Sequence, residues 1–245
     1  DSKSMRVLAL THEQGPQTGV FADSAAEHGA SIEEWSFAWG TPPPRPLDEY
    51  DAVFAFGGVM NTHDEQYHPW LREETMVIQR FLDQGVPLLG ICLGGQPVAQ
   101  GAHAAVTRAD APEVGWHPID LLPEAADDPL FGSLPTRVMA YQWHHYRFDL
   151  PGGAVPLAKS DVCLQAFRLG ERAWGLQFHC EVDAEMVEQW TSTCEAMPDH
   201  DEPGFDAARM RAETPLHIDE WNAVGREISS SFLGVAAKAK SASRV

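Results

Sequence analysis

The stretch from Val86 to Gln96 constrains this chain more than any other. Val86-Pro87-Leu88-Leu89-Gly90-Ile91 carries no polar side chain, as expected of a parallel strand buried on both faces. It runs straight into Cys92-Leu93-Gly94-Gly95-Gln96, and Gly90 and Gly94 flank the cysteine two residues on either side. A strand that delivers one side chain into a crowded turn from which a helix departs is the nucleophile-elbow pattern, here with cysteine in the nucleophile position. The free N–H groups and dipole of the helix start favour negative charge, which suits a thiolate. Taken alone, the pentapeptide fits a buried cysteine in a glycine-rich turn equally well.

The segments before it repeat one rhythm. Arg6 to Leu10 reads as a first strand and Val20 to His28 as a helix stopped by Gly29. Ser31 to Ala38 reads as a second strand, with Trp35, Phe37 and Trp39 on one of its faces. The proline-rich run Thr41 to Pro46 forbids regular structure. Asp51 to Phe56 is a third strand ending at Gly57-Gly58. Pro69 can open a helix in which Val77, Ile78, Phe81 and Leu82 share a face, and Gly85 closes it. Strands alternating with helices predict an α/β fold, a three-layer sandwich around a central, mostly parallel sheet.

The second half reads as richer in strands, near 114–121, 138–141, 154–160, 162–169 and 173–178, with part of it antiparallel at one side of the sheet. Asp183 is placed to cap a helix on which Val187, Trp190 and Cys194 share a face. Residues 197 to about 205 read as loop with helix beyond. A single domain over 5–235 is expected, with 1–4 an added or extended start and 236–245 a frayed tail.

Composition narrows the function classes. Asp and Glu outnumber Lys and Arg 36 to 17, a formal net charge of −19. Such a surface repels phosphate backbones and anionic membranes, so neither nucleic acid nor membrane is an expected partner. No apolar run approaches the ~20 residues of a bilayer span. The 4 Cys, in a chain of 245 residues, are too few for a disulfide scaffold. A cytoplasmic globular protein is the expectation.

A second motif supplies what Cys92 needs. In Gly175-Leu176-Gln177-Phe178-His179-Cys180-Glu181, extended residues two apart project to one side, so His179 and Glu181 sit together while Cys180 faces away. A cysteine nucleophile requires a base, and that base an acceptor to orient it. The same geometry argues against His179, Cys180 and Glu181 holding a metal together, and no metal or cofactor is expected.

Gly57-Gly58, Gly90 to Gln96 and Gln177 to Glu181, in this order, resemble the class I glutamine amidotransferases. The likeness is strongest to the glutaminase domain of GMP synthase and its free-standing relatives, over Met5 to about Thr191. It implies the family's flavodoxin-like sandwich and a glutaminase that releases ammonia through a γ-glutamyl thioester. Cys92 would be nucleophile, His179 general base and acid, and Glu181 the orienting acceptor. The oxyanion donors would be the backbone N–H groups of Gly58 and Leu93. Gln96 and the Trp143-His144 pair would contact glutamine or another γ-glutamyl compound. Nothing in the sequence resembles an ATP-binding loop, so the ammonia acceptor is expected to be a synthetase subunit in trans.

The chain departs from that family in three places. Cys180 stands between His179 and Glu181 where proline is usual, and Val59-Met60-Asn61 follows Gly57-Gly58 where many members have a proline. The segment resembling Trp-His-Gly-Asp is Trp143-His144-His145-Tyr146. His145 and Tyr146 either narrow the mouth above Cys92 or pack outward without effect. A stand-alone γ-glutamyl hydrolase or peptidase, and a non-catalytic regulatory or binding subunit, are the competing readings. The acids at Asp127-Asp128, Asp199, Asp201 and Glu202 read as solvated loops.

Overall fold

The computed structural model describes residues 4–13, 15, 17–197 and 201–242. Among the described residues nine strands form one sheet: β1 (Met5–Leu10), β2 (Ala30–Trp35), β3 (Ala52–Ala55), β4 (Leu88–Ile91), β5 (Val106–Leu121), β6 (Arg137–Phe148), β7 (Val155–Lys159), β8 (Leu164–Leu169) and β9 (Ala173–Leu176). The spatial order is β2-β1-β3-β4-β9-β8-β7-β5-β6. The first five are mutually parallel, and β8, β7, β5 and β6 follow antiparallel on one side. This is the three-layer, mostly parallel architecture that the alternating pattern predicts.

The sheet is covered by the helices α1 (Val20–Glu27), α2 (Trp70–Asp83), α3 (Gly95–Gly101), α4 (Ala184–Glu195) and α5 (Ala207–Ala242). The period-2 alternation of the strands divides the core. Val7, Ala9, Phe54, Leu89 and Ile91 face a cluster that takes in Phe21, Val187, Trp221 and Phe232 from α1, α4 and α5. Leu8, Leu10, Val53, Ala55 and Leu88 face the opposite cluster, with Ile78 and Phe81 of α2 and Val98 and Ala99 of α3. Both faces of the central strands are therefore buried, which is why they read as continuous apolar runs. Asp183 caps α4 by accepting the Met186 N–H at 2.9 Å, as expected of an aspartate in that place.

Several expectations are corrected. Trp35, Phe37 and Trp39 do not share a strand: β2 ends at Trp35, residues 37–39 make a single 3-10 turn, and Gly40 leaves it at φ 64°. The strands read near 114–121 and 138–141 are parts of one long hairpin, β5–β6, with a register irregularity between Arg108 and Glu113. Residues 236–242 are helical, not frayed. The apolar stripe Val224, Ile228, Phe232, Leu233 continues to a fully buried Ala236, and Lys240 Nζ reaches Asp51 Oδ2 at 2.7 Å and the Ser4 carbonyl at 3.1 Å. Alanine and lysine are strong helix formers, so the small, basic composition of this segment suits a helix. Residues 1–3 and 243–245 lie outside the described residues.

Asp128 is not a solvated loop residue. It is buried and accepts from the Leu130 N–H at 2.9 Å, Arg168 Nε at 2.8 Å and Trp174 Nε1 at 3.3 Å. Glu202 is partly buried, paired with His145, and its Oε1 accepts from Trp143 Nε1 at 3.3 Å. Asp201 is exposed as expected, and Asp199 lies outside the described residues.

Candidate active site

The carboxyl ends of four adjacent parallel strands bring the sequence motifs together. β1, β3, β4 and β9 are consecutive neighbours, in the registers Leu10↔Ala55, Ala55↔Gly90 and Ile91↔Leu176. Just past those ends come His12, Gly57-Gly58, Cys92 and the Gln177–Glu181 segment. Crevices at the carboxyl ends of the strands are where open α/β sheets bind ligands.

Cys92 sits at φ 52°, a left-handed conformation that costs a side-chain-bearing residue about 1–2 kcal/mol. The strain belongs to the elbow: a Cβ on Gly94 would stand 2.0 Å from the Ala55 carbonyl oxygen, and one on Gly90 2.3 Å from that of Gly94. Cys92 is 6% exposed. Its Sγ lies 3.8 Å from the Trp143 carbonyl oxygen and 3.8 Å from Gln177 Nε2.

β9 stops at Leu176, shorter than the strand expected over 173–178, and residues 177 and 178 bend away from the ladder. The Gln177 N–H donates to the Gln165 carbonyl at 2.8 Å and the His179 N–H to that of Tyr141 at 2.9 Å. His179 is held on every side. Trp221 Nε1 donates to its carbonyl at 2.8 Å, and its ring stands edge-to-face on Trp190 with centroids 5.0 Å apart. Nδ1 lies 2.7 Å from Glu181 Oε1, and the ring stands close enough to Cys92 for that group to favour its charged form. Burial disfavours the imidazolium, yet Glu181, through its charge and hydrogen bond, and the neighbouring Cys92 outweigh it and raise His179 to about 10. Glu181 Oε2 is buried without a hydrogen-bond partner among the described residues, so the carboxylate serves one neighbour. Cys180 is a fully buried core thiol, and burial pushes it well above the ordinary cysteine value.

The remaining predicted residues divide. A Cβ on Gly57 would lie 2.8 Å from His179 Cε1 and 3.4 Å from Cys92 Cβ, so this turn touches the nucleophile and its partner. Leu93 follows Cys92 in the first turn. Gln96 is buried, and its Oε1 accepts the Thr62 N–H at 2.9 Å, tying the segment after Gly58 to α3. Trp143 presents its carbonyl to Cys92, while its ring packs on Trp190 and Phe205. His144 points the other way, with Nε2 2.9 Å from Glu113 Oε2 and Nδ1 3.0 Å from the Tyr146 carbonyl.

Glu113, His144 and Cys163 bring three potential metal-ligating atoms within 4.8 Å of one another. Glu113 Oε2 already accepts from His144 Nε2, from Gln165 Nε2 at 2.8 Å and from Cys163 Sγ at 3.7 Å. Burial opposes the Glu113 charge, but His144 and Ser160 hold it below its usual value. The group acts as a buried carboxylate hub that anchors β5, β6 and β8. Sequence reasoning missed it because its members come from β5, β6 and the bend that enters β8, far apart in the chain. It also missed His12 and Glu74, a buried pair behind Gly57-Gly58. Glu74 did leave a signal: it occupies a place in the apolar stripe Leu71, Glu74, Ile78, Phe81 of α2.

The family model of the class-I glutamine amidotransferases matches residues 24–189, a span that includes Gly57-Gly58, Cys92, His179 and Glu181. The chain belongs to this family. It is 31% identical over 192 residues to the glutamine amidotransferase-like protein YfeJ of Salmonella typhimurium, covering 75% of this chain and 79% of that one. To a protein of Haloarcula marismortui named as a subunit of glutamine-hydrolysing GMP synthase it is 36% identical over 164 residues, 63% of this chain and 79% of the relative. A crystal structure of a glutamine amidotransferase from Thermotoga maritima superposes with a TM-score of 0.80 at 29% identity, covering 95% and 97% of the two chains. As a class I glutamine amidotransferase the protein is an enzyme of glutamine amide hydrolysis. Among the described residues no helix is long and apolar enough to cross a membrane.

Proposed function

We propose that Cys92, His179 and Glu181 hydrolyse the side-chain amide of glutamine through a covalent γ-glutamyl thioester. The observation that carries the proposal is the His179 ring, hydrogen-bonded to Glu181 at 2.7 Å and standing beside Cys92, both of which favour its charged form. Thiolate is the attacking form of cysteine, and the proton it gives up rests on His179. Sulfur adds to the amide carbon, and the oxyanion that forms is met by the N–H groups of Gly58 and Leu93. His179 then protonates the amide nitrogen, the C–N bond breaks, ammonia leaves and the thioester remains. Water, giving its proton to His179, attacks the thioester and releases glutamate with the Cys92 thiolate. Glu181 keeps the ring oriented and stabilises its charged form throughout.

The ammonia acceptor is proposed to be a synthetase on another chain, in line with the likeness to a protein named as part of a GMP synthase. A cytoplasmic setting belongs to the same proposal. The test is glutamate release from glutamine and from a panel of γ-glutamyl amides and peptides, by the wild type and by Cys92→Ala. Cys92-dependent release from glutamine supports the glutaminase. Release from γ-glutamyl peptides alone would move the assignment to a γ-glutamyl hydrolase, and absence of release in both cases to a non-catalytic binding protein.

A further inference from the structure

His12 is buried just beyond the end of β1, stacked on Trp70 with ring centroids 5.5 Å apart. Its Nδ1 lies 2.8 Å from the Gly57 carbonyl oxygen, and its Nε2 lies 2.9 and 2.8 Å from the two carboxylate oxygens of Glu74. The Gly57 carbonyl can only accept, so Nδ1 donates to it, and facing an ionised Glu74 Nε2 donates as well, which makes the ring an imidazolium. Burial opposes that charge, but Glu74, the Gly57 carbonyl and the more distant Glu13 together raise the affinity of His12 for its proton. A histidine and a glutamate buried to this degree need a reason to be there, since apolar residues of similar volume serve stability as well or better.

The reason lies in the peptide they touch. The carbonyl of Gly57 and the N–H of Gly58 belong to one planar trans unit and point in opposite directions. Fixing the oxygen on His12 therefore fixes the direction of the Gly58 N–H, turned away from His12. Among the described residues that N–H has no hydrogen-bond partner. The backbone is hemmed on both sides: a Cβ on Gly58 would be 3.1 Å from His12 Cβ and 3.2 Å from Leu93 Cδ2, and one on Gly57 2.8 Å from His179 Cε1. A charge-assisted hydrogen bond on the carbonyl also polarises the amide, which makes its N–H a stronger donor.

We propose that the buried His12–Glu74 pair is a positioning device that locks and polarises the Gly57–Gly58 peptide, so that its N–H is preset for the oxyanion formed at Cys92. The inference rests on the glutaminase reading above. His12 touches no reacting atom and acts only through the peptide.

The double variant His12→Phe/Glu74→Leu removes the pair without stranding a buried charge. Its kcat for glutamine is expected to fall about ten- to a hundred-fold, within the ~10²–10³ attributed to a whole oxyanion donor, with KM nearly unchanged. Glu74→Gln, which keeps a hydrogen-bonding partner for the ring but removes its charge, is expected to fall between the double variant and the wild type. Alkylation of Cys92 by iodoacetamide forms no oxyanion, so its rate should be the same in all three proteins. Wild-type kcat in the double variant overturns the proposal. So does a loss of kcat matched by slowed alkylation or a raised KM, which would mean general collapse of the site. Failure of the glutaminase reading itself is seen separately, as glutamate release that survives Cys92→Ala.

Discussion

The imidazole of His179 and the carboxylate of Glu181 meet at 2.7 Å with one residue between them, and that residue, Cys180, turns its thiol into the core. The pairing has a pH signature. His179 is raised to about 10, with burial opposing the shift and Glu181 and Cys92 driving it. Its contribution to stability is then fully present below the ordinary histidine value of ~6.5 and is lost as pH rises through about 10. The midpoint of thermal unfolding should therefore fall between neutral pH and about 10 in the wild type, and fall less in Glu181→Gln. Loss of Glu181 should reduce turnover less than His179→Ala, because Glu181 orients the ring while His179 carries the proton.

The left-handed backbone of Cys92 predicts an order of stabilities. Cys92→Ala and Cys92→Gly both lack the nucleophile and should be inactive. Glycine adopts φ 52° without the Cβ penalty, so Cys92→Gly should be about 1 kcal/mol more stable than Cys92→Ala in urea unfolding. Equal stabilities would mean that the elbow relaxes once the thiol is gone.

Asp128 tests a buried acid that takes no part in the chemistry. Its side chain has no solvent exposure and neutralises Arg168 while accepting from Trp174. Asp128→Ala should destabilise by about 3 kcal/mol, the cost of leaving a paired charge and a buried N–H without their acceptor. Turnover per folded molecule should be unchanged, which distinguishes this acid from Glu181.

His145 carries the prediction about access. It pairs with Glu202, and Trp143 packs on Phe205, so the segment bearing Glu202 and Phe205 rests on the strand that presents its carbonyl to Cys92. His145→Ala loosens that contact and should raise kcat/KM for bulky γ-glutamyl amides more than for glutamine. A uniform change across the panel would show that this segment does not select substrates.

What could be read from sequence was what is local. The elbow at Cys92 is a strand, a turn and a helix in succession, and His179 with Glu181 is a two-residue spacing, so both were visible without a fold. The alternation of β1, β3 and β4 gave away the layers because each strand is buried on both faces. His12 and Glu74 escaped notice because they are 62 residues apart and meet only once β1 and α2 are packed. Asp128 looked like one of many acids, since only its approach to Arg168 and Trp174 distinguishes it. The helical end of α5 was hidden by its small residues, whose burial depends on a partner surface formed by the rest of the molecule.

The most direct measurement is mass spectrometry of the protein mixed with glutamine and quenched in acid during turnover, followed by peptide mapping. A γ-glutamyl group on the peptide containing Cys92, present in Glu181→Gln and absent from Cys92→Ala, is the expected result. Glutamate release with no acyl group on Cys92, or with the group on Cys163, Cys180 or Cys194 instead, would contradict the thioester mechanism and the assignment of the nucleophile.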